Sequence, residues 1–192
     1  MSKKRKKLAV FISGRGSNME AILNATKRAD FPAKIAVVIS DNPEAEGLEL
    51  ALAHNIDAFA FARSDYCSKS EHEAAIIEAV DACNVDLVCL AGYMRILSPE
   101  FTDRYKSKLI NIHPSLLPKF KGLNTHARAI EAGETEHGCT IHYVNSEMDG
   151  GEIIAQSSVP ILPDDSPKSL AARVLIEEHK LYPKVIEALC SH

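Results

Sequence analysis

The sequence predicts an α/β domain: a mostly parallel sheet with helices on both faces, finished by a C-terminal hairpin-like extension and a long final helix. Three observations carry that expectation. Short β-branched runs alternate with longer amphipathic stretches, the pattern of βαβ units. The first apolar run stops at a glycine-rich turn that opens into a helical period. The last third of the chain breaks the rhythm with two strand-like runs in succession, then one long helical stretch.

Leu8 to Ser13 reads as a buried strand, closed by Gly14-Arg15-Gly16-Ser17-Asn18. Met19 to Ala29 then places Met19, Ile22 and Leu23 at helical spacing. Lys34 to Ser40 is a second strand, closed by Asp41-Asn42-Pro43, and Pro43 suits the first turn of a helix running toward Ala53. Asp57 to Phe61 gives a short third strand. Lys69 to Cys83 is a helix with Ala75, Ile76, Ala79 and Val80 on its apolar face. Val85 to Ala91 is a central strand ending at Gly92, and Lys108 to His113 is another, stopped by Pro114 because proline cannot continue the ladder. Cys139 to Val144 and Glu152 to Val159 are two strands joined by a turn around Asp149-Gly150-Gly151. A helix from Pro167 to Leu189 closes the chain, with Asp165 or Ser166 as its cap. The arrangement is Rossmann-like.

With 192 residues, 46% hydrophobic and 25% charged, the chain has the size and composition of one soluble domain. Residues 8–192 are expected to form it, and the basic arm 1–7 is expected to be disordered. Without the five cations from Lys3 to Lys7, the net charge of −4 becomes −9, which argues against a nucleic-acid footprint. No apolar stretch approaches the roughly 20 residues of a spanning helix, so no membrane partner is expected. Leu8 to Ile12 is shorter than a signal-peptide core of about 7–15 residues. Five scattered cysteines without a CxxC pair read as reduced thiols of a cytoplasmic protein. His126, His137 and His142 lack metal-ligand spacing, and no metal is expected.

Ligands of such sheets sit at the carboxyl ends of the strands, which selects residues 14–18, 92–97 and 111–118 along one edge. In the first segment, Gly16, Ser17 and Asn18 present amides at a helix start, a setting for an anion. The dinucleotide fingerprint needs a glycine where Met19 stands, and no Walker lysine follows, so a monophosphate fits better. A plain strand-to-helix turn would read the same. In the third segment, alternation puts Asn111 and His113 on one face. There an amide stabilises developing negative charge and an imidazole shuttles a proton, although a histidine hydrogen-bonded inside a strand end has the same spacing. Asp149 sits in a glycine turn; it either supports a neighbouring histidine or is an ordinary turn aspartate.

Ser13-Gly-x-Gly-Ser-Asn18, Ala91-Gly-Tyr-Met-Arg-Ile-Leu97, Asn111-Ile-His-Pro-Ser-Leu-Leu-Pro118 and Met148-Asp-Gly-Gly151 occur in this order. With them the chain resembles the folate-dependent phosphoribosylglycinamide formyltransferase family from about Leu8 to Leu189. The resemblance implies transfer of the formyl group of 10-formyltetrahydrofolate, a co-substrate, to the amine of glycinamide ribonucleotide in purine biosynthesis, without a metal. It implies that Asn111 hydrogen-bonds the formyl oxygen, that His113 donates the proton, and that Asp149 supports the histidine. Gly16, Ser17 and Asn18 match the substrate phosphate loop, and Glu178 a ribose contact. Met94, Arg95, Ile96 and Leu97 match one wall of the folate slot, with Asn145, Ser146, Glu147, Met148 and Asp149 as the facing loop. Lys69 stands where the family often carries a folate-contacting arginine; lysine keeps the charge and loses the bidentate geometry. A homodimer is plausible by analogy with the family.

Three rivals belong beside this expectation. A formyltetrahydrofolate deformylase transfers the formyl group to water; it usually carries an amino-terminal regulatory domain, for which the residues before Leu8 leave no room. A methionyl-tRNA formyltransferase carries a further carboxyl-terminal domain that has no counterpart here. A non-catalytic nucleotide-binding module needs the glycine loop but not Asn111, His113 and Asp149 together.

Overall fold

The computed structural model describes residues 4–191. The first strand, β1 (Lys6–Ile12), lies in the interior of a seven-stranded sheet. The other strands are β2 (Ala33–Ser40), β3 (Asp57–Ala60), β4 (Leu87–Leu90), β5 (Leu109–His113), β6 (Glu136–Tyr143) and β7 (Ile153–Pro160). They lie in the order β3-β2-β1-β4-β5-β6-β7. The first five strands pair in parallel, and β6 and β7 add antiparallel neighbours at one end.

Alternation along β1 supplies both faces of the core. Leu8, Val10 and Ile12 face a layer that includes Met19, Ile22 and Leu23 of α1 (Ser17–Thr26) and Leu170, Val174 and Tyr182 of α6 (Pro167–Cys190). Ala9 and Phe11 face the opposite layer, with Ile76 and Val80 of α3 (Lys69–Ala82) and Phe101 of α4 (Pro99–Arg104). A strand covered on both faces must be apolar throughout, which is why the run Leu8 to Ile12 does not alternate in polarity. Burying one such side chain contributes about 1.5–3 kcal/mol. The helix α6 starts at a capping box, in which Ser166 and Ser169 satisfy each other's backbone amides. Its buried Tyr182 donates a hydrogen bond to the Leu90 carbonyl (2.9 Å), pinning the helix beneath the carboxyl ends of the central strands.

Several expectations need correction. β1 begins at Lys6, so Lys6 and Lys7 belong to the sheet and not to a free arm. The Lys7 amide donates to Asp86 (2.8 Å), and the Arg5 guanidinium donates to the Thr26 and Ala33 carbonyls. Residues 1–3 of the expected arm lie outside the described residues. Pro43 does not start a helix: the Asn42 side chain accepts from the Glu44 amide (3.1 Å) in a turn, and α2 (Glu46–Ala53) begins after it. Ser166, not Asp165, is the cap of α6. The sixth strand begins three residues earlier than expected, at Glu136. Gly138 permits this, since a Cβ there would lie 2.0 Å from the Ser157 carbonyl of β7. Two short helices were not anticipated, α4 and α5 (Thr125–Glu131), nor was a 3-10 turn at Arg63–Asp65.

Among the described residues, no helix is long and apolar enough to cross a membrane. No group of three or more His, Cys, Asp or Glu among them is placed to hold a metal ion.

Candidate active site

The carboxyl ends of β1, β4 and β5 are neighbours, so the three segments selected from the sequence meet at one edge. Asn111 and His113 project from β5, and the antiparallel register sets Asn111 opposite His142 and His113 opposite Thr140. The Asn111 Nδ2 donates to His142 Nε2 at 3.2 Å. His142 Nδ1 lies 2.8 Å from the carbonyl of Tyr143, which fixes the proton on Nδ1 and leaves Nε2 as the acceptor. Burial lowers the pKa of His142, in agreement with that neutral tautomer. Only one of the two Nδ2 hydrogens of Asn111 is engaged in this bond, so the other remains to meet an oxyanion.

Asp149 arrives from the turn before β7. Its backbone is left-handed (φ 49°), and Gly151 makes the approach feasible: a Cβ at Gly151 would lie 1.6 Å from the Tyr143 carbonyl. The Asp149 Oδ2 accepts from the Gly122 amide (2.9 Å) and lies 3.4 Å from His113 Nδ1. Its Oδ1 is 3.8 Å from His142 Nε2. The other nitrogen of His113, Nε2, is 3.0 Å from the Phe120 carbonyl. Both ring nitrogens therefore face oxygen acceptors, a geometry that suits a proton-carrying imidazolium.

At the end of β1 the chain enters α1 through Gly16, whose left-handed φ of 76° demands glycine and whose added Cβ would meet the Gly47 Cα at 3.1 Å. The first-turn amides of α1, beginning at Ser17 and Asn18, have no intrahelical partner and carry the positive end of the helix dipole. Arg15 is exposed. The Asn18 Nδ2 donates to Glu178 Oε2 of α6 at 2.6 Å, and both side chains are buried. Burial pushes the Glu178 carboxyl above its usual range, with the Asn18 bond opposing part of that shift.

Between the start of α3 and the loop after β4 lies a cavity of about 320 Å³ lined by Lys69, Tyr93, Met94, Arg95, Ile96 and Leu97. Met94 and Ile96 expose 68% and 69% of their surface, while Leu97 turns into the core beside Phe101. Two apolar side chains left open at a cavity mouth, one of them a flexible methionine, are a surface for a flat apolar ligand. Lys69 is held at 3.7 Å by Glu73. Asn145, Ser146, Glu147 and Met148 form the exposed loop before Asp149, braced by an ion pair from Lys121 to Glu147 (2.7 Å) and by the Glu147 amide on Asn145 Oδ1 (3.0 Å).

Residues 6–186 match the formyl transferase family. The chain belongs to that family. Among its formyl transferase relatives, the phosphoribosylglycinamide formyltransferase of Haemophilus influenzae is 50% identical over 182 residues, covering 95% of this chain and 86% of the relative. The enzyme of the same name from Escherichia coli is 43% identical, covering 93% and 84%. In three dimensions, the phosphoribosylglycinamide formyltransferase of Brucella melitensis superimposes with a TM-score of 0.94 at 49% identity, covering 98% of this chain and 97% of the other.

In this formyl transferase the structure brings Asn111, His113 and Asp149 together, and it joins Asn18 to Glu178 across the chain. The exposed Arg95 donates from Nε to Asp41 (2.7 Å). The residue that sequence reasoning missed is His142, set aside there as a poor metal ligand. The signal was present: His142 sits two positions from Thr140 on an alternating strand, but only the register with β5 places it against Asn111.

Proposed function

We propose that this formyl transferase moves the formyl group of 10-formyltetrahydrofolate to the primary amine of glycinamide ribonucleotide, giving formylglycinamide ribonucleotide and tetrahydrofolate. The observation that supports the reading is the cluster of Asn111, His113 and Asp149 at the end of β5, on the same sheet edge as the amide-rich start of α1 and the loop after β4. Gly16, Ser17 and Asn18 would receive the ribonucleotide phosphate, with Glu178 at the ribose. Met94 to Leu97 and the loop from Asn145 to Asp149 would enclose the folate, with Lys69 at its rim.

The amine attacks the formyl carbon, and a carbon–nitrogen bond forms as the carbonyl oxygen gains negative charge. The free Nδ2 hydrogen of Asn111 and the protonated ring of His113 stabilise that oxygen. Collapse breaks the bond from the formyl carbon to the folate nitrogen, which leaves with a proton, while the attacking nitrogen loses one. Asp149 orients His113 and takes part in moving those protons at the Nδ1 side of the ring. The chemistry needs positioning and a fixed dipole, not a covalent nucleophile.

The test is an absorbance assay with 10-formyldideazafolate as donor, run with and without glycinamide ribonucleotide, on the wild type and His113→Ala. Acceptor-dependent turnover that the variant loses is the expected result. Turnover without acceptor would identify a deformylase, and a folded wild type that binds both ligands without turnover would identify a binding module.

A further inference from the structure

The carboxylate of Asp41, at the end of β2, stands between the glycine loop and the loop after β4. Its Oδ1 accepts from the Ser13 hydroxyl (2.5 Å), and its Oδ2 accepts from Arg95 Nε (2.7 Å). The same Ser13 oxygen accepts from the Met94 amide (2.8 Å). The neighbouring Asn42 Nδ2 donates to the Ser13 carbonyl (3.3 Å), and the Gly47 amide donates to the Gly14 carbonyl (3.2 Å). The turn after β2 thus grips the glycine loop and reaches through it to residues 94 and 95. The Asp41 side chain is only 9% exposed against 45% for Arg95, so the buried carboxylate is the fixed member and the guanidinium the guided one.

We propose that Asp41 is a positioning residue that sets the folate slot from the phosphate-loop side, aiming Arg95 directly and holding the Met94 backbone through Ser13. The inference rests on the functional reading above. Neither residue 41 nor residue 13 needs to touch either substrate for this role. Arg95 and Met94 belong to one wall of the slot, and both take their position from a group anchored under the other substrate's loop.

The chemistry separates the two ties. In Asp41→Asn, the side-chain carbonyl still accepts from Ser13, but the amide faces Arg95 with a second donor, so only the Arg95 tie is lost. Ser13→Ala removes the Met94 tie. Calorimetric binding of 10-formyldideazafolate should weaken about tenfold in Asp41→Asn, the loss expected of one charge-assisted hydrogen bond. The KM for glycinamide ribonucleotide should stay within about twofold and kcat should change little, because uniform binding is what has been removed. In an Arg95→Gln background, Asp41→Asn should add no further loss, which a general loosening of the fold would not reproduce. Hydrogen exchange supplies a readout without ligand: both variants should speed exchange in residues 91–98 and spare 109–113. Unchanged exchange and unchanged folate affinity would overturn the proposal, as would equal rises in both KM values. A wild type that binds no folate would overturn the functional reading instead, while faster exchange in 91–98 would still uphold Asp41 as the residue that fixes this loop.

Discussion

The two ends of the active edge are built by opposite means. After β1, the site is made of backbone: Gly16 in a left-handed conformation, the unpaired amides at the start of α1, and a glycine-to-glycine contact with α2. After β5, it is made of side chains, and Asn111, His113, His142 and Asp149 come from three separate segments joined by strand register and one tight turn. A backbone site is contiguous in sequence and tolerates many neighbours. A side-chain site depends on long-range geometry and fails when any one contributor moves. The proposed binding of a phosphate suits the first design, and the proposed proton transfer suits the second.

The largest expected effect falls on the side-chain end. His113→Ala should lower kcat by about 10²–10⁴-fold, the usual contribution of a general acid, in protein that still folds but is about 1–3 kcal/mol less stable because the Phe120 carbonyl loses its partner. A variant that instead lost only affinity for glycinamide ribonucleotide would move His113 from chemistry to binding. At the turn that delivers Asp149, Gly151→Ala would drive a Cβ to 1.6 Å from the Tyr143 carbonyl, and a stability loss of about 3 kcal/mol or more should accompany the loss of activity.

The backbone end predicts smaller, graded effects. Gly16→Ala carries a left-handed φ and a 3.1 Å contact, so it should cost about 1–2 kcal/mol and weaken the ribonucleotide more than the folate. Gly14→Ala meets nothing within 4 Å and should stay within about 0.5 kcal/mol of wild type in denaturant unfolding. Equal costs at the two positions would mean that the loop is not held against α2 as described.

This contrast also explains what was legible in the sequence. The glycine loop was visible because its residues are consecutive and its physics is local. Asn111 and His113 were visible because strand alternation alone puts them on one face. Asp149 was visible as a turn carboxylate with two readings, and only the resemblance chose between them, since a turn aspartate does not reveal which strand end it faces. His142 was missed as a partner of Asn111 because that contact exists only in the β5–β6 register. The start of β1 was misplaced because Lys6 and Lys7 look like part of a solvated arm; their partner Asp86 is far away in sequence. The short helix α4 did leave a signal, a Ser98 cap followed by Pro99, but six residues carry too little periodicity to announce it.

The smallest effects, in pH dependence, have opposite signs at the two ends. Burial lowers the pKa values of His126, His142 and His137, the last to about 4 from an ordinary 6.5. The unfolded chain therefore binds more protons than the folded one below pH 6.5, and the stability contributed by these neutral rings is lost as pH falls from 6.5 toward about 4. Glu178 is displaced the other way: burial raises its carboxyl above 4.5, so its contribution is present below pH 4.5 and lost as pH rises through its folded value. His137→Gln should accordingly flatten the acid limb of a plot of melting temperature against pH. Glu178→Gln keeps an acceptor for Asn18 without a buried charge, so it should raise the melting temperature near pH 7 and leave it unchanged near pH 4. A Glu178→Gln variant less stable at pH 7 would show that the carboxylate is already well compensated there, and that the phosphate-loop end also relies on a finely placed side chain.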